Sequence, residues 1–339
     1  MARYFAFQWH ITEECDQRCK HCYIYADGYV PMSRMTWRQM KRTLANMKEF
    51  CRFYDVIPHL YITGGDPILH PDFWRLLKRL HRHGVEFSIM GNPFHLDEEA
   101  CRRMHEMGCT SYQVSIDGLK DTHDWFRMPG SYDATIASIP VIQSSGMHAI
   151  VMSTVSGTNA SQMPAIVDAM VEAGADVFSF GRYCPTSMDR SISISPEEYR
   201  TLLDELDRKY KEYEAEGCFT LFDRKDHLFT LLQYEHGEFV PAEHEGEILG
   251  CHCGRSHLTV LPNGDVLACR RFHSRIGNVF QDRLKDLWRC DLMERVRDYG
   301  SYEKCSGCRL RDYCRGCPAV AFGTAGDFKS ADPQCWRRR

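Results

Sequence analysis

The chain has 339 residues, 43% hydrophobic and 26% charged, with a formal net charge of −4 and seventeen cysteines. This supports one large domain plus a smaller one; it gives no footprint for nucleic acid, and Arg337-Arg338-Arg339 reads as a solvated tip. No apolar run approaches the ~20 residues of a membrane span and residues 4–11 are too short for a signal peptide, so the expected compartment is the cytoplasm, where clustered cysteines mean metal rather than disulfides.

In chain order, residues 4–11 read as a strand, followed by a polar loop and a helix over 36–53 with Trp37, Met40, Leu44 and Met47 at helical spacing. A strand at 56–63 leads to a helix at 73–83, with Phe73, Leu76, Leu77 and Leu80 inward. Further pairs follow: strand 85–90 and helix 97–107, strand 112–116 and helix 131–145, strand 149–154 and helix 160–173, then a sixth strand at 176–180. Gly108, Gly146 and Gly174 close three of these helices. Six strand–helix units in a row predict a parallel sheet, read as a partial (β/α)6 barrel over residues 1–181. A helix over 197–215 opens a bridge, 182–250, whose His227, His236 and His244 lack ligand spacing. Residues 251–339 form a cysteine-rich domain, with a hairpin at 258–269 turning on Asn263-Gly264.

Cys15, Cys19 and Cys22 form a CxxxCxxC run directly after the first strand. A 4Fe–4S cluster normally takes four thiolates, so three leave one iron open to bind something. Zinc is the alternative, with His21 the only local fourth ligand. Cys251, Cys253, Cys269, Cys305, Cys308, Cys314, Cys317 and Cys335 make a second set. Eight ligands match two fully ligated 4Fe–4S clusters or two four-cysteine zinc sites. Cys51, Cys101, Cys109, Cys184, Cys218 and Cys290 lie apart and read as small buried hydrophobes. Parallel barrels carry function on the loops after their strands. There the sequence places Thr63-Gly64-Gly65-Asp66-Pro67, Gly91-Asn92-Pro93, Ser115-Ile116-Asp117-Gly118, and Thr154 with Asn159. Paired glycines allow close backbone approach, and an adjacent acid can accept from an ammonium group.

The run from Cys15 to Tyr23 resembles the cluster loop of the radical S-adenosylmethionine (SAM) enzymes. In that family the open iron is chelated by the methionine moiety of SAM, and one electron cleaves SAM to methionine and a 5′-deoxyadenosyl radical that abstracts hydrogen. Gly64-Gly65-Asp66 resembles the motif that grips the SAM amino group, with Asp in place of the usual Glu. The resemblance implies that His21, Tyr23, Asn92, Ser115, Asp117, Arg127 and Thr154 also contact SAM, with Asp117 near the nucleoside and a candidate catalytic residue. The stretch from Ser115 through His123-Asp124 to Arg127 resembles the SPASM branch, as does the eight-cysteine tail. Two departures are the two-residue gap between Cys314 and Cys317 and the closeness of Cys251 to Cys253.

The implied cofactors are SAM and three 4Fe–4S clusters. The implied activity is oxidative formation of a thioether or carbon–carbon cross-link, or a related dehydrogenation, in a ribosomally made, cysteine-containing precursor peptide. The chain also resembles the group associated with peptides carrying Ala-Cys-Gly repeats. An electron donor of flavodoxin or ferredoxin type is expected. Because the first strand begins near residue 4, leader recognition is expected from a separate protein or from the bridge at 216–250. The competing readings are formylglycine formation on a sulfatase-like protein and a zinc-stabilised binding module.

Overall fold

The computed structural model describes residues 3–25, 33–185, 193–242 and 249–337; His244 and the last two arginines lie outside them. The elements in chain order are β1 (Tyr4–Thr12), α1 (Trp37–Tyr54), β2 (Ile57–Gly64), α2 (Phe73–Arg82), β3 (Phe87–Met90), α3 (Glu98–Glu106) and β4 (Cys109–Ser115). They continue with α4 (Lys120–Phe126), α5 (Ser131–Ser144), β5 (His148–Val155), α6 (Met163–Glu172), β6 (Val177–Arg182), α7 (Pro196–Ala215), β7 (Leu221–Asp223) and α8 (Leu228–Glu235). The rest are β8 (His257–Val260), β9 (Asp265–Leu267), β10 (Arg275–Asn278), α9 (Leu284–Leu287), α10 (Asp291–Arg297) and α11 (Pro318–Ala325). The chain divides into two compact units, one of residues 1–115, 123–150 and 253–295, the other of 116–122, 151–252 and 296–339.

In the first unit β1 is the central strand. Phe7, Trp9 and Ile11 are fully buried, as expected for a parallel strand covered on its faces. β2 runs parallel to β1, β3 to β2 and β4 to β3. α1 starts at a capping box in which Thr36 and Gln39 satisfy each other's end of the helix. It buries Met40, Leu44, Met47 and Phe50, and Phe50 packs on Phe5 and Phe7 of β1.

The hairpin of the cysteine-rich region joins this same sheet. β8 pairs parallel with β1, Ala6 opposite His257 through Trp9 opposite Val260, while β9 and β10 add antiparallel strands. The segment after β10 is clamped to α1. The Asn46 amide donates to Asp282 O (2.8 Å) and accepts from Leu284 N–H (2.9 Å), and the Tyr54 hydroxyl donates to Lys285 O (2.8 Å). Trp288 then closes edge-on against Phe5 at 5.0 Å. Cys253 and Cys269, which flank the hairpin, are thereby carried by the sheet rather than by a loose tail.

In the second unit β7 runs parallel to β6. α7 begins at a Ser195–Glu198 capping box and buries Tyr199, Leu202, Leu203, Leu206 and Tyr210. Tyr210 stacks on Phe222 of β7, with ring centroids 4.4 Å apart. Arg182, at the end of β6, is buried in an ionic network with Asp226, Asp332 and Gln334.

Candidate functional site

The cluster loop leaves β1 at Thr12 and is fixed at several points. Glu13 N–H donates to Ser33 O (2.9 Å) and Lys20 N–H to Phe126 O (2.9 Å), while Cys22 N–H closes a tight turn on Cys19 O (3.0 Å). Side-chain donors reach two of the sulfurs, with Asn92 Nδ2 3.4 Å from Cys15 Sγ and Arg127 Nη1 3.9 Å from Cys19 Sγ. Backbone N–H groups also bond to the thiols, that of Gln17 to Cys15 and those of Ile24 and Tyr25 to Cys22. Burial raises the pKa of Cys15, with the Asn92 amide pulling the other way, and burial likewise raises Cys22. Such thiols ionise on taking a metal, and metal binding drives off their protons. Donors aimed at sulfur stabilise the thiolate form, as they do around iron–sulfur clusters.

The glycine pair has a job that sequence reasoning did not assign. A Cβ on Gly64 would collide with the Thr12 carbonyl oxygen, and one on Gly65 with that of Glu14. Without side chains, the end of β2 packs directly on the root of the cluster loop: Gly65 N–H donates to Thr12 O (2.9 Å) and Asp66 N–H to Glu14 O (2.7 Å). The contact sets Asp66 beside Cys15, whose pKa its charge helps to raise.

Asp66 is wholly buried, and neither carboxylate oxygen makes a hydrogen bond. Desolvation is the main reason its pKa is pushed up to about 7; the His95 ring and the backbone N–H groups of Ile68 and Asn92, which approach the carboxylate without the geometry of a full hydrogen bond, offset this only in part. Asp16, Asp66 and His95 bring their polar atoms within 4.8 Å of one another, and among the described residues no other set of three or more His, Cys, Asp or Glu does so. The His95 Nε2 to Asp16 Oδ2 distance is 2.7 Å, and Asn92 Nδ2 donates to Asp16 Oδ1 at 2.6 Å. An orphaned buried carboxylate is costly, and a cation is the partner it lacks. The donor set therefore fits SAM, whose ammonium would meet Asp66.

His21 lies edge-on to Phe126 at 5.0 Å, and the Arg270 guanidinium sits 4.5 Å over the Tyr23 ring. Ser115 ends β4. Asp117 and Thr154 belong to the second unit, where Asp117 is buried and its Oδ1 accepts from Thr154 N–H (2.7 Å). Asn159 ties the same loop, donating to Asp117 O (2.8 Å) and Thr154 O (2.9 Å).

Among the tail cysteines, Cys305, Cys308, Cys314 and Cys335 form one neighbourhood in the second unit. Burial pushes Cys305 up to about 12, and raises Cys314 and Cys335, each also within the electrostatic reach of others in the set. Arg337 Nη1 lies 3.1 Å from Cys308 Sγ, and Gly316 N–H points at Cys314 Sγ (3.4 Å). Cys317 differs: a hydrogen bond from Cys184 is the main cause of its fall to about 6. Cys251 is in this unit, Cys253 and Cys269 in the other.

Residues 9–170 match the Radical SAM superfamily, and residues 251–309 match SPASM, an iron–sulfur cluster-binding domain. The chain belongs to the radical SAM enzymes. Within them it carries the SPASM extension, so SAM and iron–sulfur clusters are its cofactors. It is 26% identical to an AdoMet-dependent heme synthase of Methanosarcina barkeri, over 96% of this chain and 95% of the relative. It is 25% identical to the mycofactocin maturase MftC of Mycobacterium tuberculosis, over 96% of this chain and 81% of the relative. The fold is shared with anSMEcpe with bound AdoMet (TM-score 0.77, 16% identity, 97% of this chain and 93% of that one). It is also shared with Streptococcus suis SuiB bound to S-adenosylmethionine (TM-score 0.76, 18% identity, 99% and 78%). No helix among the described residues is long and apolar enough to cross a membrane.

Sequence reasoning missed Asp16, His95 and Cys184. Asp16 sits inside the CxxxCxxC run and was visible as a carboxylate between ligands; nothing local marked His95. Cys184 stands two residues after the end of a strand, a position that its isolation from other cysteines hid.

Proposed function

We propose that the chain is a radical SAM maturase acting on a ribosomally made peptide. Cys15, Cys19 and Cys22 hold the SAM-binding cluster, while Gly64, Gly65 and Asp66 position SAM together with Asn92, Ser115, Asp117, Arg127, Thr154, His21 and Tyr23. The eight tail cysteines hold two further clusters. The observation that carries the SAM assignment is the buried, unpartnered Asp66 carboxylate beside Cys15. When bound, the cofactors supply reductive cleavage of SAM and hydrogen abstraction. The chain's own residues bind, orient and exclude water. Asp66, ionised, would accept from the ammonium, and Arg127 would hold the carboxylate by its fork.

The favoured outcome is oxidative cross-linking of a cysteine-containing peptide; the tail cysteines would hold fully ligated auxiliary clusters, and these would supply an acceptor for the extra electron. The mycofactocin maturase relative supports a peptide substrate. A separate leader-recognition protein, a flavodoxin- or ferredoxin-type donor and a cytoplasmic location complete this reading. A tetrapyrrole is the second reading, favoured by the near full-length match to the Methanosarcina heme synthase. Anaerobic reaction with SAM and dithionite separates the two. With a Cys-rich peptide encoded beside the gene, mass spectrometry should show loss of two hydrogens per cross-link. An unchanged peptide, with conversion of an iron coproporphyrin instead, would replace the peptide reading by the tetrapyrrole one.

A further inference from the structure

Although the chain as a whole is slightly acidic, one face of the first unit is strongly basic. α1 carries five Lys or Arg against a single Glu, and α2 carries four against no acid. Between them lies a groove of about 470 Å³ lined by Trp37, Lys41, Arg75, Lys78, Arg79 and Arg82, with His83 at its rim. Arg75 packs its guanidinium on the Trp37 ring at 4.2 Å. Lys41, Lys78 and Arg82 are exposed, and among the described residues the structure gives them no ion pair. Arg79 Nε is shielded from water and finds no acceptor. Arg75 is paired with Asp72 at 3.3 Å, but the groove's other Lys and Arg side chains have no such partner among the described residues. Like charges crowded with few counter-charges raise the energy of the free surface and favour a partner of opposite sign. The Trp37 end of the groove is also joined to the cluster loop, since Met35 N–H donates to Ile11 O (2.9 Å) and Glu13 N–H to Ser33 O (2.9 Å).

We propose that this groove docks the acidic protein that delivers the reducing electron. The inference rests on the SAM-cleaving reading above. Three features select the occupant. The cations are spread along two helices and exposed, which suits a protein surface rather than a small anion. The indole and the stacked guanidinium offer a flat anchor of the kind that dominates protein interfaces. The groove adjoins the root of the loop where reduction is needed. In each encounter the reduced carrier loses one electron and this enzyme gains it, with no proton or group transferred. Charge complementarity of this kind acts mainly on the rate of association and is screened by salt.

The test compares wild type with a K41E/K78E/R82E variant, using a reduced flavodoxin as the probe and 5′-deoxyadenosine as one readout. At low ionic strength the flavodoxin-driven rate should fall at least about tenfold, a gap that closes towards 0.5 M salt. The dithionite-driven rate should be unchanged, and a milder K41Q/K78Q/R82Q variant should fall between. Direct titration of flavodoxin binding should show the same loss of affinity. Equal binding and equal flavodoxin-driven rates in all three proteins would overturn the proposal. So would a selective loss of dithionite-driven peptide modification in the variants, which would give the groove to an acidic peptide segment. If wild type cleaves no SAM with dithionite, the SAM reading fails, and the binding titration still decides the groove.

Discussion

Replacing Asp66 by asparagine is expected to stabilise the metal-free protein by about 2–4 kcal/mol above pH 7 while weakening SAM binding about ten- to a hundredfold. The two effects share one cause. Burial raises the Asp66 pKa from 3.8 to about 7, so the folded state holds a proton that the unfolded state has already released. Stability attributable to this group therefore falls as pH rises from about 4 to 7, and the full penalty remains above that range. Asparagine removes the penalty, so variant and wild type should converge near pH 4. The same change removes the charge that the SAM ammonium would meet, a trade of stability for function. Urea unfolding of apo-protein at several pH values and SAM titration of the reconstituted protein read the two halves. Unchanged affinity together with no gain at pH 8 would reduce the Gly64-Gly65-Asp66 turn to a turn.

Replacing Arg182 by methionine is expected to cost about 3–5 kcal/mol, the usual result of stranding one side of a buried ion pair. Its Nε donates to Asp226 (2.7 Å), Nη1 and Nη2 fork onto Asp332 (2.7 and 2.8 Å), and Nη1 also reaches Gln334 (2.8 Å). Asp332 in turn accepts from Cys317 N–H at 2.7 Å. Two carboxylates would be left buried without a cation, and the backbone that presents Cys317 would lose its anchor. Lysine should rescue only weakly, because a point charge cannot reproduce the fork. Denaturant unfolding measures the cost, and iron content reports the tail. A loss below about 1 kcal/mol would mean that the network relaxes or admits water.

Most strands and helices up to residue 182 were legible from the period of their buried positions, but the short α4 (Lys120–Phe126) was not read from the sequence. Phe73, Leu76, Leu77 and Leu80 face inward on α2 as their spacing requires. Boundaries moved by a few residues: β4 begins at Cys109, three positions earlier than its apolar pattern indicated, because its first residues pair by backbone with β3. The pairing of β8 with β1 was not legible, since it joins residues some 250 apart and no local pattern encodes it. For the same reason the hairpin could be recognised from Asn263-Gly264, but not the sheet it joins. At the site, the sulfur ligands and Asp66 stood out as residue types in a spacing. His95, Cys184 and the Arg182 network act through contacts set by the fold and left no mark in the sequence around them.

The central claim is that SAM is cleaved at the Cys15–Cys19–Cys22 loop and that the tail clusters serve the substrate. Anaerobic iron analysis, paired with assays for 5′-deoxyadenosine and peptide modification, tests it most directly on three proteins. Wild type should hold about twelve irons and perform both reactions. A C15A/C19A/C22A variant should lose about four irons and all 5′-deoxyadenosine. A C308A/C314A variant that stays soluble should keep dithionite-driven 5′-deoxyadenosine formation and lose peptide modification. Zinc in place of iron in the tail, 5′-deoxyadenosine from the triple variant, or normal peptide modification by the tail variant would contradict the claim.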